Sequence, residues 1–185
     1  NDNWYLIGGF ADSNSDPTDP LDGLETFFDD REYFKHIELG WNASRETAFL
    51  NNIHLTLWHN DEREAAATPD GWGANLSFSK SLNEHWIPFL RLGYAKDAGT
   101  LLERSLSTGF AYQTVPGGNQ LGVAYNYGVP NESSWGPGLD DQQTLEVFYR
   151  IQLWKEFAIT PDIQYIKDPA LNPDDSSMWL FGLRG

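Results

Sequence analysis

Residues 140–165 read DDQQTLEVFYRIQLWKEFAITPDIQY. Leu145, Val147, Tyr149, Ile151 and Leu153 alternate with Thr144, Glu146, Phe148, Arg150 and Gln152. A side-chain period of two belongs to a β-strand with one apolar and one mostly polar face. The alternation breaks at Lys155-Glu156 and then resumes. Phe157, Ile159, Pro161, Ile163 and Tyr165 fall on one face, and Ala158, Thr160, Asp162 and Gln164 on the other. The stretch therefore predicts a hairpin of two long strands. Its dry face carries only hydrocarbon and rings, and its wet face carries Glu146, Arg150, Asp162 and Gln164. Such a hairpin suits a wall with lipid on one side and a water-filled lumen on the other.

Outward from this hairpin the same pattern recurs, for ten alternating segments in all. The first is Trp4 to Asp12, where Gly8-Gly9 blurs the facing. Phe34 to Asn42 has Ile37, Leu39 and Trp41 dry and His36, Glu38 and Asn42 wet. Asn51 to Asn60 has Ile53, Leu55 and Leu57 dry and His54, Thr56 and Trp58 wet. Trp72 to Lys80 and Trp86 to Tyr94 follow, the latter with Arg91 wet. Leu102 to Tyr112 has Leu106, Thr108, Phe110 and Tyr112 dry and Glu103, Ser105 and Ser107 wet. Gln120 to Tyr127 precedes the hairpin, and Met178 to Arg184 closes the series with Trp179, Phe181 and Leu183 dry.

The chain has 185 residues, enough for a single domain. It has no cysteine, which excludes disulfides and thiolate metal sites. Its formal net charge of −15 argues against nucleic acid, whose phosphates call for clustered Lys and Arg. Aromatic residues make up 15% of the chain, yet its mean hydropathy is −0.50. A barrel strand reconciles the two, because only every second residue meets lipid. No run approaches the roughly 18 apolar residues of a spanning helix.

The links between segments alternate in length. Those near Ser44 to Thr47, Asn83, Pro116-Gly117-Gly118 and Lys155-Glu156 are tight. Ser13 to Glu32, Asp61 to Gly71, Gly128 to Leu139 and Lys167 to Ser176 are longer and acidic, and the shorter Ala95 to Thr100 joins them. Short turns on one side and longer loops on the other are the plan of outer-membrane barrels. Trp41, Trp72, Trp86, Tyr94, Tyr112, Tyr127, Trp154 and Tyr165 gather near segment ends, where an interfacial girdle would sit. A soluble β-sandwich that binds carbohydrate through exposed Trp residues would also alternate. A β-sheet glycosidase using two of the acidic residues is a third reading. Dependence on detergent separates the first reading from the other two.

The last third of the chain carries a resemblance. Glu146-x-x-Tyr149-Arg150-x-Gln152, Pro161-Asp162-x-Gln164-Tyr165, Pro169 and the closing Leu180-Phe181-Gly182-Leu183-Arg184 resemble the C-terminal signature of the OprB-type carbohydrate-selective porins. Glu38-Leu39-Gly40, the run HLTLWHND at residues 54–61, and Gly73 onward are similar in kind. The resemblance implies a sixteen-stranded antiparallel transmembrane β-barrel in the outer membrane of a Gram-negative cell, passing sugars by diffusion. Ten strands are too few for that barrel, so residues 1–185 read as one domain that is the C-terminal part of a longer chain. Such chains end in an aromatic residue, whereas this one stops at Gly185.

A passive channel needs no catalytic group; it needs a lining suited to its solute. Rings stack on the C–H faces of sugars, and carboxylates and guanidinium groups hydrogen-bond their hydroxyls. The pore-lining candidates are Glu38, His54, Trp58, Arg91, Glu103, Glu146, Arg150, Asp162 and Gln164. Trp58 is the most telling, as a large ring on a polar face. Glu146 and Arg150 lie roughly 13 Å apart along one strand, so each is expected to pair with a neighbouring strand. No cofactor is expected. Asp12 to Asp22 could chelate calcium, but its spacing is not that of an EF-hand loop, and an acidic external loop is the commoner reading. Loops of this kind would partly cover the mouth. Permeating sugars and outer-membrane lipid are the expected partners. A homo-oligomer is compatible with the sequence and not required by it.

Overall fold

The computed structural model describes residues 3–15, 18, 19 and 21–185. Ten strands form one antiparallel sheet in sequence order: β1 (Trp4–Asp12), β2 (Tyr33–Asn42), β3 (Asn52–Asn60), β4 (Gly71–Ser79), β5 (Trp86–Asp97), β6 (Leu102–Gln113), β7 (Gln120–Pro130), β8 (Gln142–Trp154), β9 (Phe157–Lys167) and β10 (Ser177–Arg184). Each strand pairs only with its neighbours in the chain, and β1 and β10 are the two edges. Two helices lie in the longer links, α1 (Asp22–Asp29) between β1 and β2 and α2 (Glu132–Trp135) between β7 and β8. No helix among the described residues is long and apolar enough to cross a membrane.

The register assigns a face to every strand residue. One row across the sheet runs Trp4, Trp41, Ile53, Phe78, Leu90, Thr108, Tyr125, Leu145, Tyr165 and Trp179. A second runs Pro88, Phe110, Val123, Val147, Ile163 and Phe181. These rows belong to the dry face. It is open, with Phe181 77% and Leu183 73% exposed. Among the described residues the buried apolar side chains are only Ala95, Ala98 and Ala170. A sandwich would bury the dry face of one sheet against another; here all ten strands share one sheet and its apolar face is uncovered.

The first row begins at the first residue of β1, a turn-side position, and ends at the third residue of β10, near the loop side. Rows that climb in this way match the stagger expected of strands tilted in a barrel wall. Rings pack at both ends of the dry face. Trp86 with Phe110 and Tyr112, and Trp154 with Phe157, lie toward the short turns. Trp72 with Tyr94, and Tyr165 with Trp179, lie toward the longer links.

The strands are longer at the loop side than the alternation indicated. β5 continues to Asp97, β7 to Pro130, and β8 starts at Gln142. Ladder hydrogen bonds run through Ala95 and Gly128, which offer little side chain for a pattern to register. The link between β2 and β3 occupies residues 43–51, longer than the tight turn expected there. The loops brace one another. Asn131, only 2% exposed, donates its amide to the Leu101 carbonyl at 2.9 Å and its side chain to Thr100 Oγ1 at 2.8 Å, and Trp135 Nε1 donates to the Thr100 carbonyl.

A second brace sits on the loop-side rim. Lys35 Nζ donates to Asp61 at 2.7 Å, the Tyr33 amide donates to Asp61 Oδ2 at 3.0 Å, and His59 Nδ1 lies 3.4 Å from the same carboxylate. Burial alone would raise the Asp61 carboxyl, but the Lys35 ammonium and the Tyr33 amide outweigh it and hold the group below its ordinary value. The folded value thus lies below the unfolded one. Stabilisation is complete above the ordinary carboxylate range and is lost as pH falls through the depressed value. Asp61→Asn should lower the unfolding temperature at neutral pH and flatten its decline on acidification, measured by thermal melts in detergent.

Candidate functional site

The wet face is the wall of the candidate channel, and three clusters stand on it. The first is on β1–β3. Glu38 accepts hydrogen bonds from the Tyr5 hydroxyl at 3.0 Å and the Thr56 hydroxyl at 2.6 Å. The next row carries Tyr5, Gly40, His54, Ser77, Arg91, Ser107 and Asn126, so His54 and Arg91 stand two strands apart with Ser77 between them. Gly40 has no side chain because the Tyr5 ring occupies its place: an added Cβ would lie 2.1 Å from that ring.

The second cluster is aromatic and lies toward the loop-side mouth. Trp58 and Phe34 stack at 6.0 Å with ring planes 30° apart, and His36 lies 6.0 Å from Phe34. Two glycines seat these rings. A Cβ at Gly73 would lie 2.4 Å from the Trp58 indole, and one at Gly9 would lie 2.9 Å from the His36 ring. Trp58 therefore presents a ring supported from behind, on the face where water is expected.

The third cluster spans β8–β10. Arg184 Nη2 lies 3.4 Å from Glu146 Oε1, and Arg184 Nε lies 3.4 Å from Asp162 Oδ2. Asp162 is the more enclosed acid, its side chain 8% exposed. Gly182 faces Asp162 across the β9–β10 pair, and a Cβ there would lie 2.4 Å from the carboxylate. The missing side chain lets the carboxylate lie over β10 and meet Arg184. Gln164 faces Glu146 directly, while Arg150 faces Gln120 on β7.

This combination is one sheet with a lipid-type outer face and an inner face of carboxylates, guanidinium groups, hydroxyls and seated rings. The family model for carbohydrate-selective porins, OprB family, matches residues 1–185, the whole chain. The chain belongs to the OprB family of carbohydrate-selective porins. No curated protein and no solved structure matches it significantly.

Of the nine candidates in this OprB-family chain, eight stand on the wet face: Glu38, His54, Trp58, Arg91, Glu146, Arg150, Asp162 and Gln164. Glu103 departs from the alternation. It is the extra residue of a bulge between Leu102 and Arg104, and its carboxylate sits 3.6 Å from Arg104, whose partner Tyr94 belongs to the outer face. Glu146 pairs across strands with Arg184, and Arg150 stands opposite Gln120 in the β7–β8 register.

Sequence reading missed Tyr5, Arg184 and two rings on the inner face, Phe34 and Phe89, and it placed Phe148 on that face without counting it among the lining candidates. Arg184 was available from its alternation with Leu183. Phe89 carries the Arg91 guanidinium at 5.6 Å from its ring centre, and Phe148 lies across Gly122. The wet face is thus not uniformly polar. For the calcium reading, Asp16 lies outside the described residues. Among those described, no group of three or more His, Asp or Glu is arranged to hold a metal ion.

Proposed function

We propose that this chain is the channel-forming wall of an outer-membrane porin through which neutral sugars diffuse passively in a Gram-negative cell. Family membership supports a transport channel rather than an enzyme. The observation that carries the reading is the two-sided sheet, with exposed hydrocarbon and aromatic end bands outside and the three clusters inside. β1 and β10 run in opposite directions in this meander, so an even number of further strands would close the barrel, in keeping with a total of sixteen. The excess of acid favours neutral or cationic solutes and disfavours anions, which need a path lined with Lys or Arg.

Within the lumen, the Trp58–Phe34 platform is the part suited to the apolar face of a pyranose. The carboxylates and guanidinium groups further along the wall suit its hydroxyls. Uptake into proteoliposomes of glucose against an anion of similar size tests the proposal. Faster uptake of glucose is expected, and equal exclusion of both solutes would overturn it. Trp58→Ala should lower sugar affinity by about 2- to 10-fold, the equivalent of the roughly 0.5–1.5 kcal/mol of an aromatic contact, while ion conductance holds or rises. Affinity is read from sugar block of single-channel current.

A further inference from the structure

The acidic loops are expected to lean over the mouth, but α1, in the link between β1 and β2, packs on the outer face instead. In β1 the outward residues are Trp4, Leu6, Gly8, Phe10 and Asp12, facing Trp41, Leu39, Ile37, Lys35 and Tyr33 of β2. α1 is held by three of these outward groups. The Phe27 ring packs on Phe10 at 5.7 Å and on Tyr33 at 5.0 Å. The Tyr33 hydroxyl donates to the Phe27 carbonyl at 2.8 Å, and Thr26 Oγ1 donates to Asp12 Oδ2 at 2.9 Å. α1 therefore lies against the outside of the wall at its loop-side rim.

The faces of α1 are sorted. At about 100° per residue, Gly23, Thr26 and Phe27 share the side toward the sheet. Leu21, Leu24 and Phe28 follow around the helix as an apolar stripe, and Asp22, Glu25 and Asp29 complete the turn as an acidic one. The apolar stripe is open, with Leu24 63% and Phe28 66% exposed. It continues the open dry face, whose nearest members, Phe10 and Leu6, are equally uncovered. A helix with one apolar sector, one charged sector and a position level with the rim of a lipid-facing wall has the design of an interfacial helix. The acidic sector excludes docking on anionic headgroups as its source of attraction, which leaves hydrocarbon as the contact.

We propose that α1 is a membrane-surface helix, with Leu21, Leu24 and Phe28 set into the outer leaflet beside the barrel and Glu25 and Asp29 turned to water. It rests on the porin reading above, in which the dry face meets lipid. The absence of cysteine makes a direct test available. Leu24→Cys, Phe28→Cys and Glu25→Cys are each labelled with an environment-sensitive fluorophore in the full protein, reconstituted in phosphatidylcholine vesicles. Ile163→Cys on the outer wall and Ser133→Cys in the β7–β8 loop serve as references.

Quenching by a nitroxide on the lipid chains is compared with quenching by aqueous acrylamide. Labels at positions 24 and 28 should be quenched by the lipid nitroxide several-fold more than the label at 133, and the label at 25 should follow acrylamide. Labels at 24 and 28 that follow acrylamide as strongly as the label at 133 would place the helix in water and overturn the proposal. Protection from both quenchers would overturn it as well, by showing the stripe covered by protein. If the Ile163 label itself escapes the lipid nitroxide, the porin reading fails and takes this proposal with it. The two failures are thereby distinct.

Discussion

Ile163→Arg should strongly impair assembly into the membrane, whereas Gln164→Arg, one residue along, should assemble normally. Ile163 lies in the middle of β9, in the outer row with Val147 and Phe181 on either side. A charge at the bilayer midplane on the lipid face of such a barrel costs roughly 2–4 kcal/mol. That is about 30- to 1000-fold in the ratio of folded to unfolded chain, a large fraction of a marginal stability. Gln164 points to the other side, opposite Glu146, where a guanidinium gains a partner. Leu145→Arg should also impair assembly but less, because Leu145 lies nearer the loop-side rim, between Tyr125 and Tyr165. Heat-modifiable migration and protease resistance of the membrane fraction report assembly. Equal assembly of all three variants would mean that the dry face does not meet lipid, and failure of Gln164→Arg alone would mean that the two faces are exchanged.

Gln152→Arg looked equally harmless from alternation alone. In the structure Gln152 closes the β8–β9 turn, its Nε2 donating to the Trp154 and Phe157 carbonyls at 2.5 and 3.2 Å. The substitution would release the turn as well as add a charge, so its effect would not report facing. Alternation tells which way a side chain points and not what it holds.

The strand order, the facing and most strand limits were legible because each depends on a short-range period that one chain displays by itself. Strand ends were less legible where small residues such as Ala95 and Gly128 extend the ladder without contributing to the pattern. α1 was invisible for a related reason. Eight residues give little more than two turns, too short for periodicity or for stability alone, and the helix is held by Phe27 on rings from two strands that no local window connects. Alternation gives no warning that Glu103 sits at a bulge, because the bulge does not alter the composition around it. The ion pairs of the third cluster depend on register across three strands, which alternation leaves undetermined. The glycines that seat Trp58, His36, Tyr5 and Asp162 become meaningful only once those partners are in place.

Arg184→Glu should turn the channel strongly toward cations. Glu146, Asp162 and Arg184 together carry one net negative charge, and the substitution makes it three: −1 −1 +1 becomes −1 −1 −1. Arg184 is largely open on the wet face, its side chain 64% exposed, so water-like screening applies. Each new repulsion at this spacing is worth about 1 kcal/mol, too little to prevent folding but sufficient to change the ion population of the bore. The potassium-to-chloride permeability ratio, from reversal potentials across a planar bilayer, should rise several-fold. Arg184→Gln should give an intermediate value. The shift should shrink at high salt, as the screening length falls from about 10 Å at 0.1 M to about 3 Å at 1 M. Glucose uptake should change far less, because a neutral solute does not respond to the added field. An unchanged reversal potential would remove Arg184 and its carboxylates from the permeation path and leave them as a brace between β8, β9 and β10. A loss of glucose uptake equal to the change in ion selectivity would mean that this cluster sets the width of the channel instead of its charge.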